Sequence, residues 1–251
     1  MLETLLGVTD VTGLIILTVA VVVAGLVRGF AGFGSGMIIM PAASMVLPPV
    51  GAVTFMMMAE LLGPLPNLRA AWREGVPADV GRLMLGAVFA VPLGILCLSL
   101  MEPAAFSWVV SITVACLLAL LMTGWRYRGT LTAPLTAATG ALGGFMGGFA
   151  GVPGPPVIML YMASHFPAAI IRANFLLYLL AIDVVMIAVF FVLDLFVWQI
   201  ALLGLLAGVP AMIANRMGAW LFDPTAEVVF RRVAYIIIAM SAIIGLPVWR
   251  S

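Results

Sequence analysis

Arg28 stands at the far end of a 17-residue apolar run and opens the block Arg28-Gly-Phe-Ala-Gly-Phe-Gly-Ser-Gly36. The chemistry that such a block could do is non-covalent recognition of an anion. Glycine permits positive φ and close approach of the backbone. A helix restarting after the break offers unpaired N–H groups at the positive end of its dipole. A guanidinium at that depth is costly in lipid and normally faces a cavity or a partner. Two readings therefore stand for Arg28: contact with a bound anion, or a structural cation that is neutralised by Glu60 or Asp183 or reaches an interface. Together with Gly29, Phe30, Gly32, Phe33, Gly34, Ser35 and Gly36 it forms the first candidate binding segment.

A second block follows 115 residues later, where Gly29, Phe30, Gly32, Gly36 and Pro41 recur as Gly144, Phe145, Gly147, Gly151 and Pro156. It carries no arginine. Pro153, Pro155 and Pro156 lack N–H groups, so a helix cannot run through them undisturbed. Gly147, Gly148, Phe149, Gly151, Pro153 and Gly154 form the second candidate segment, read as broken and cavity-lining. The four-residue spacing of Gly140, Gly144 and Gly148, and of Gly143, Gly147 and Gly151, also suits close helix packing in lipid.

Glu60 and Asp183 are carboxylates deep in apolar spans, at equivalent places in the two halves to within one helical turn. Buried carboxylates are the usual proton carriers of coupled transport. The other reading for each is an interhelical hydrogen bond or a pair with Arg28. Thr54 and Asn174 are matched polar positions after each glycine block, able to hydrogen-bond a ligand's oxygens or a neighbouring helix.

These residues need long membrane helices to hold them. The 251 residues are 65% hydrophobic and 8% charged, whereas a soluble domain carries roughly a quarter charged residues. Lipid must solvate most of such a surface. Apolar stretches run at 11–27, 36–47, 51–68, 80–101, 104–124, 131–150, 156–164, 168–192, 195–214 and 226–249, with joints that include 69–79 and 126–129. Leu85, Gly86, Val91 and Pro92 recur as Leu203, Gly204, Val209 and Pro210, and Glu102-Pro103 returns as Asp223-Pro224. Residues 1–125 thus read as one repeat and 126–251 as its copy, within one integral membrane domain.

Residues 11–47 as a single helix would extend about 54 Å, against a hydrocarbon core of about 30 Å. The chain must fold back at the glycines, which leaves three further crossings per half and inverts the second half. In that arrangement Arg69, Arg73, Arg82, Arg126, Arg128, Arg172, Arg216, Arg231 and Arg232 share one side. The positive-inside rule makes that side cytoplasmic and places both termini outside the inner membrane. The expected fold is all-α and polytopic: two inverted repeats, each a broken or re-entrant glycine-rich hairpin plus three transmembrane helices.

Several classes fall away. A net charge of +1 offers no basic face for nucleic acid. Cys97 and Cys116 have no metal-ligand spacing, and no cofactor or metal is expected. The glycines have no preceding strand, which removes a nucleotide loop. Ser35 has no candidate base nearby, so an enzyme is not expected. The start of the chain, with Glu3 and Asp10 and no positive charge, does not read as a secretory signal. His165 reads as an interfacial loop residue.

The run 28–41 with its weaker copy at 143–156 resembles the sulfite exporter TauE/SafE family, over about residues 11–248. The resemblance implies transport, commonly export, of small sulfur-containing or organic anions such as sulfite, sulfoacetate or thiosulfate. Thr54-Phe55 and Asn174-Phe175 fall where the family commonly has a Thr-Ser pair, a departure that bears on substrate identity. The expected function is a secondary transporter working by alternating access, possible partners being a small anion, protons and the lipid bilayer. An anion or small-solute channel is the alternative. Oligomeric state is not legible.

Overall fold

Proline begins many of the helices, because at the first helical position its missing N–H costs nothing and its φ is preset. The computed structural model describes residues 7–123, 131–162, 164 and 166–249; these are helices and connections, with no strand among the described residues. The helices are α1 (Val11–Ala31), α2 (Ser35–Val46), α3 (Pro49–Leu61), α4 (Leu68–Glu74), α5 (Pro77–Ser99), α6 (Pro103–Met122), α7 (Ala133–Ala150), α8 (Gly154–Met162), α9 (Ala168–Val192), α10 (Trp198–Leu221) and α11 (Glu227–Ile244). Pro49, Pro77 and Pro134 sit in the first turns of α3, α5 and α7. Asp10 caps α1 by accepting the Gly13 N–H at 2.8 Å. Between α10 and α11 the Asp223 carboxylate accepts the Thr225 hydroxyl at 2.7 Å and its N–H at 2.8 Å. Those two bonds hold it below the usual carboxylate range.

Five helices, α1, α5, α6, α9 and α10, are long and apolar enough to cross a membrane, or six spans if Pro49–Leu61 and Leu65–Glu74 count as one broken span. The chain is a multi-pass membrane protein. Its exposed residues include Phe89 at 73%, Val192 at 84% and Trp220 at 84%, a surface that lipid would cover and water would not.

The expected fold-back is present at both glycine blocks. α2 packs on α1, and α8 packs on α7. At 12 and 9 residues, these arms extend about 18 Å and 14 Å, too short to cross alone. One expectation needs correction. The joint at 69–79 is helical over Leu68–Glu74, because the break falls earlier, at Gly63-Pro64. The segment 126–129 and His165 lie outside the described residues.

The helices form two compact units. In the first, α10 packs on α1 and α3, and α11 on α2. In the second, α5 packs on α7, and α9 on α4 and α5. Each unit combines helices from residues 1–125 with helices from 126–251. Small residues allow the closest contacts. A Cβ on Gly29 of α1 would lie 2.8 Å from Gly218 Cα of α10, and one on Gly144 of α7 would lie 2.7 Å from Ala87 Cα of α5. Without an aqueous hydrophobic drive between helices in lipid, such close backbone approach supplies the attraction.

Candidate functional site

The first break is shorter than the glycine block. α1 runs through Arg28, Gly29 and Phe30 to Ala31, so the irregular backbone is confined to 32–34. Gly32 has φ +80° and Gly34 φ +94°, values that cost an L-residue about 1–2 kcal/mol. The Gly32 N–H closes α1 on the Arg28 carbonyl at 2.8 Å. α2 then restarts at buried Ser35 without a side-chain cap, leaving first-turn N–H groups of Ser35, Gly36 and Met37 without helical acceptors. Gly29 faces α10, and the Phe30 ring lies 5.3 Å from that of Phe230. Phe33 and Gly36 are half-buried at the break.

Arg28 occupies the last turn of α1, where the helix dipole favours a cation. Its Nη1 donates to Glu60 Oε2 of α3 at 3.1 Å, and the two side chains are only 14% and 13% exposed. Of the partners considered for Arg28, Glu60 is therefore the one present. The other oxygen, Glu60 Oε1, is buried with no hydrogen-bond partner. The pair borders a cavity of about 20 Å³ whose lining includes Ser35, Ile39, Gly63 and Asn215, room for about one water. Asn215, on α10 one turn beyond Ala211, escaped the sequence reading. It follows an apolar run directly and has no matched polar counterpart in the first half, so only tertiary packing marks it.

The second break lies in the other unit and differs in chemistry. α7 continues through Gly147, Gly148 and Phe149 to Ala150, and only 151–153 are irregular, with Gly151 at φ +70°. Gly148 abuts Val91 and Ile95 of α5, Phe149 stacks on Phe145 at 5.2 Å, and Gly147 faces Pro153. α8 restarts at Gly154, against the Phe175 ring. With Pro153, Pro155 and Pro156 around it, Gly154 contributes the one backbone N–H among residues 153–156. The glycines within α7 thus serve close packing, while left-handed Gly151 and the proline cluster make the break.

Thr54 is fully buried, and its hydroxyl donates to the Val50 carbonyl of its own helix at 2.8 Å. Asn174 is fully buried too: its Oδ1 accepts the Val76 N–H at 2.7 Å, and its Nδ2 donates to Tyr161 Oη at 3.3 Å. It ties α9 to α8 and to the start of α5. Removing both bonds by Asn174→Ala leaves a partly buried N–H and a buried hydroxyl unpaired, at about 1–3 kcal/mol. We expect a clear fall in unfolding free energy in detergent, with Asn174→Gln also destabilised because its longer chain misplaces the amide. Asp183 is buried in α9, 5% exposed. The Tyr178 hydroxyl, one turn beyond Asn174, is fully buried without a hydrogen-bond partner; an aromatic in an apolar run gave no earlier sign of this.

Among the described residues no cluster of His, Cys, Asp and Glu could hold a metal. The arrangement sets a guanidinium–carboxylate pair beside a cavity of about one water. The family model described as Sulfite exporter TauE/SafE matches residues 17–244, nearly the whole chain. No curated protein and no solved structure matches it. An all-helical chain with five or six candidate spans, broken twice at glycine blocks and matched over that length, belongs to the sulfite exporter TauE/SafE family of membrane transporters.

Proposed function

We propose that this protein exports small sulfur-containing anions, of sulfite, sulfonate or thiosulfate type, across the inner membrane by alternating access of two inverted repeats, a proton travelling with the anion and the anion's own outward gradient supplying the drive. The observation that carries this reading is the Arg28–Glu60 pair beside the small cavity at the first break. The pair is neutral as it stands. A monoanion such as hydrogensulfite or a simple sulfonate, arriving with a proton on Glu60, leaves the total at zero: +1 from Arg28, 0 from Glu60 and −1 from the substrate; a dianion such as thiosulfate would need a further proton. Either partial step alone would leave net charge in a poorly solvated place, which is costly. Protonation also frees the guanidinium for the anion, whose other oxygens would meet the Ser35 hydroxyl, the Asn215 amide and the first-turn N–H groups of α2.

In the second break the Gly154 N–H and the Tyr178 hydroxyl are the available donors, so that break would contribute shape more than charge. Thr54 would stay bonded within its own helix and Asn174 would tie neighbouring helices, neither of them meeting substrate. A cavity of about one water is too small for a sulfur oxyanion, so loading would require the helices around it to part. That need favours a carrier over a standing pore. Glu60 is the better coupling candidate than Asp183, because Glu60 is the carboxylate that pairs with Arg28 and borders this cavity. The arginine distribution would set both termini outside.

The test is flux in proteoliposomes of sulfite, thiosulfate and a sulfonate, with sulfate and acetate as controls, under an imposed pH gradient. Saturable flux of one sulfur anion, accelerated by the gradient, is expected. Glu60→Gln should keep anion exchange but lose the response to the gradient, and Asp183→Asn should keep both. Non-saturable flux, or a Glu60→Gln variant with an intact pH response, would refute the mechanism.

A further inference from the structure

A groove in the second unit holds about 1040 Å³ and is built like an amphiphile's mould. Its long wall is a stripe of α9, from Leu177 through Ala181 to Val184 and Val185, which runs about 12 Å along the helix. Val80 and Met84 of α5 form the facing wall. All of these are apolar. At the Leu177 end the lining changes character: α4 contributes Arg69 and Arg73, one turn apart, with Trp72 between them at 71% exposure. Leu177 packs with Ala71 of α4, which fixes that short helix at this end of the stripe. The corner after α4 is held in turn by the Asn174 acceptor on the Val76 N–H.

The charges are uncompensated within the groove. No acidic residue lines it. Asp79, the nearby buried acid on α5, is bonded to Arg82 at 2.8 Å. Glu74, on α4, is exposed and is not among the lining residues. Two neighbouring guanidiniums suit a phosphate with several oxygens. An exposed tryptophan is the side chain that settles at headgroup level, and the apolar stripe beneath suits an acyl chain. A free anion would use the arginines and leave the stripe unfilled; an uncharged lipid would do the reverse.

We propose that this groove binds one anionic glycerophospholipid, its phosphate, which no headgroup cation neutralises, on Arg69 and Arg73 and an acyl chain along α9 from Leu177 to Val185. Nothing in this depends on what the protein transports. Each basic side chain beside an anionic headgroup contributes about fivefold in affinity, so the pair contributes about thirtyfold.

The experiment is native mass spectrometry and thermal unfolding of the full chain in uncharged detergent, titrated with phosphatidylglycerol, phosphatidylcholine or inorganic phosphate. Phosphatidylglycerol should bind one per chain and raise the melting temperature, about thirtyfold more tightly than phosphatidylcholine; inorganic phosphate should do neither. Arg69→Gln/Arg73→Gln should bring phosphatidylglycerol down to the phosphatidylcholine level. Ala181→Trp, which fills the stripe and leaves the arginines, should weaken both lipids. A variant that does not purify as a single species is replaced by Arg73→Gln alone, expected to lose about fivefold. Equal affinity for the two lipids, full affinity in the double variant, or an equal effect of inorganic phosphate would each overturn the proposal.

Discussion

Arg28→Ala is expected to lower the unfolding free energy by about 3–5 kcal/mol and to abolish anion flux. The cost comes from what is left behind: Glu60 has one oxygen on Arg28 and one already unpartnered, so removal of the guanidinium strands a whole carboxylate in a mostly buried place. The double variant Arg28→Ala/Glu60→Gln should recover most of that loss, since a neutral amide has far less desolvation to make good. Flux should stay absent in it, because the anion's positive partner is gone. Unfolding in detergent and proteoliposome flux, measured on the two single variants and the double, separate the roles. If stability returns and flux returns with it, Arg28 is a structural cation and no part of the anion site. If Arg28→Ala is as stable as the parent, the ion pair is not a feature of the folded protein.

Gly86→Val should be among the most damaging single substitutions far from either break, by about 3 kcal/mol or more. A Cβ there would run into the Ala137 carbonyl oxygen and lie 2.7 Å from the Ala141 backbone nitrogen. Neither atom belongs to a side chain that can turn aside, so α5 and α7 would have to separate. Gly81, five residues earlier on the same helix, has open space where its Cβ would be. Gly81→Ala should therefore be neutral or stabilising by up to about 1 kcal/mol, through helix propensity alone. Equal unfolding of the two variants would mean that α5 does not pack on α7 through this face.

The division between close-packing glycines and conformational glycines could not be made from spacing. Gly29, Gly32, Gly144, Gly147, Gly148 and Gly151 look alike in the duplicated blocks, and each half could be read as one long break. In the folded chain only Gly32, Gly34 and Gly151 have positive φ. Gly29, Gly144 and Gly148 lie within helices, where their missing side chains admit a neighbouring helix. Both uses exploit the absent Cβ, and both can leave the same four-residue spacing. Proline divides in the same way: Pro41, Pro92 and Pro210 lie inside helices, whereas Pro153, Pro155 and Pro156 mark a real break.

The residues around the first break divide in the same way. Apolar run lengths set against bilayer thickness already required a fold-back near residue 30, because helical rise and hydrocarbon thickness are constants that need no tertiary knowledge. Composition settled that lipid is the solvent, and the duplicated glycine blocks carried the family. Which acid neutralises Arg28 was open between Glu60 and Asp183. Their places along the chain are nearly equivalent in the two halves, and only packing decides which one a guanidinium can reach. Asn215 and Tyr178 were invisible for a related reason: a single polar tip in an apolar helix gains meaning only from what faces it. The solvent, the two breaks and the family were legible along the chain, since these follow from local chemistry summed over it. Tertiary structure alone decided the Glu60 partner, the helical placement of Gly29 and Gly148, and the arginine-lined groove beside α4, since each depends on residues far apart in sequence meeting in space.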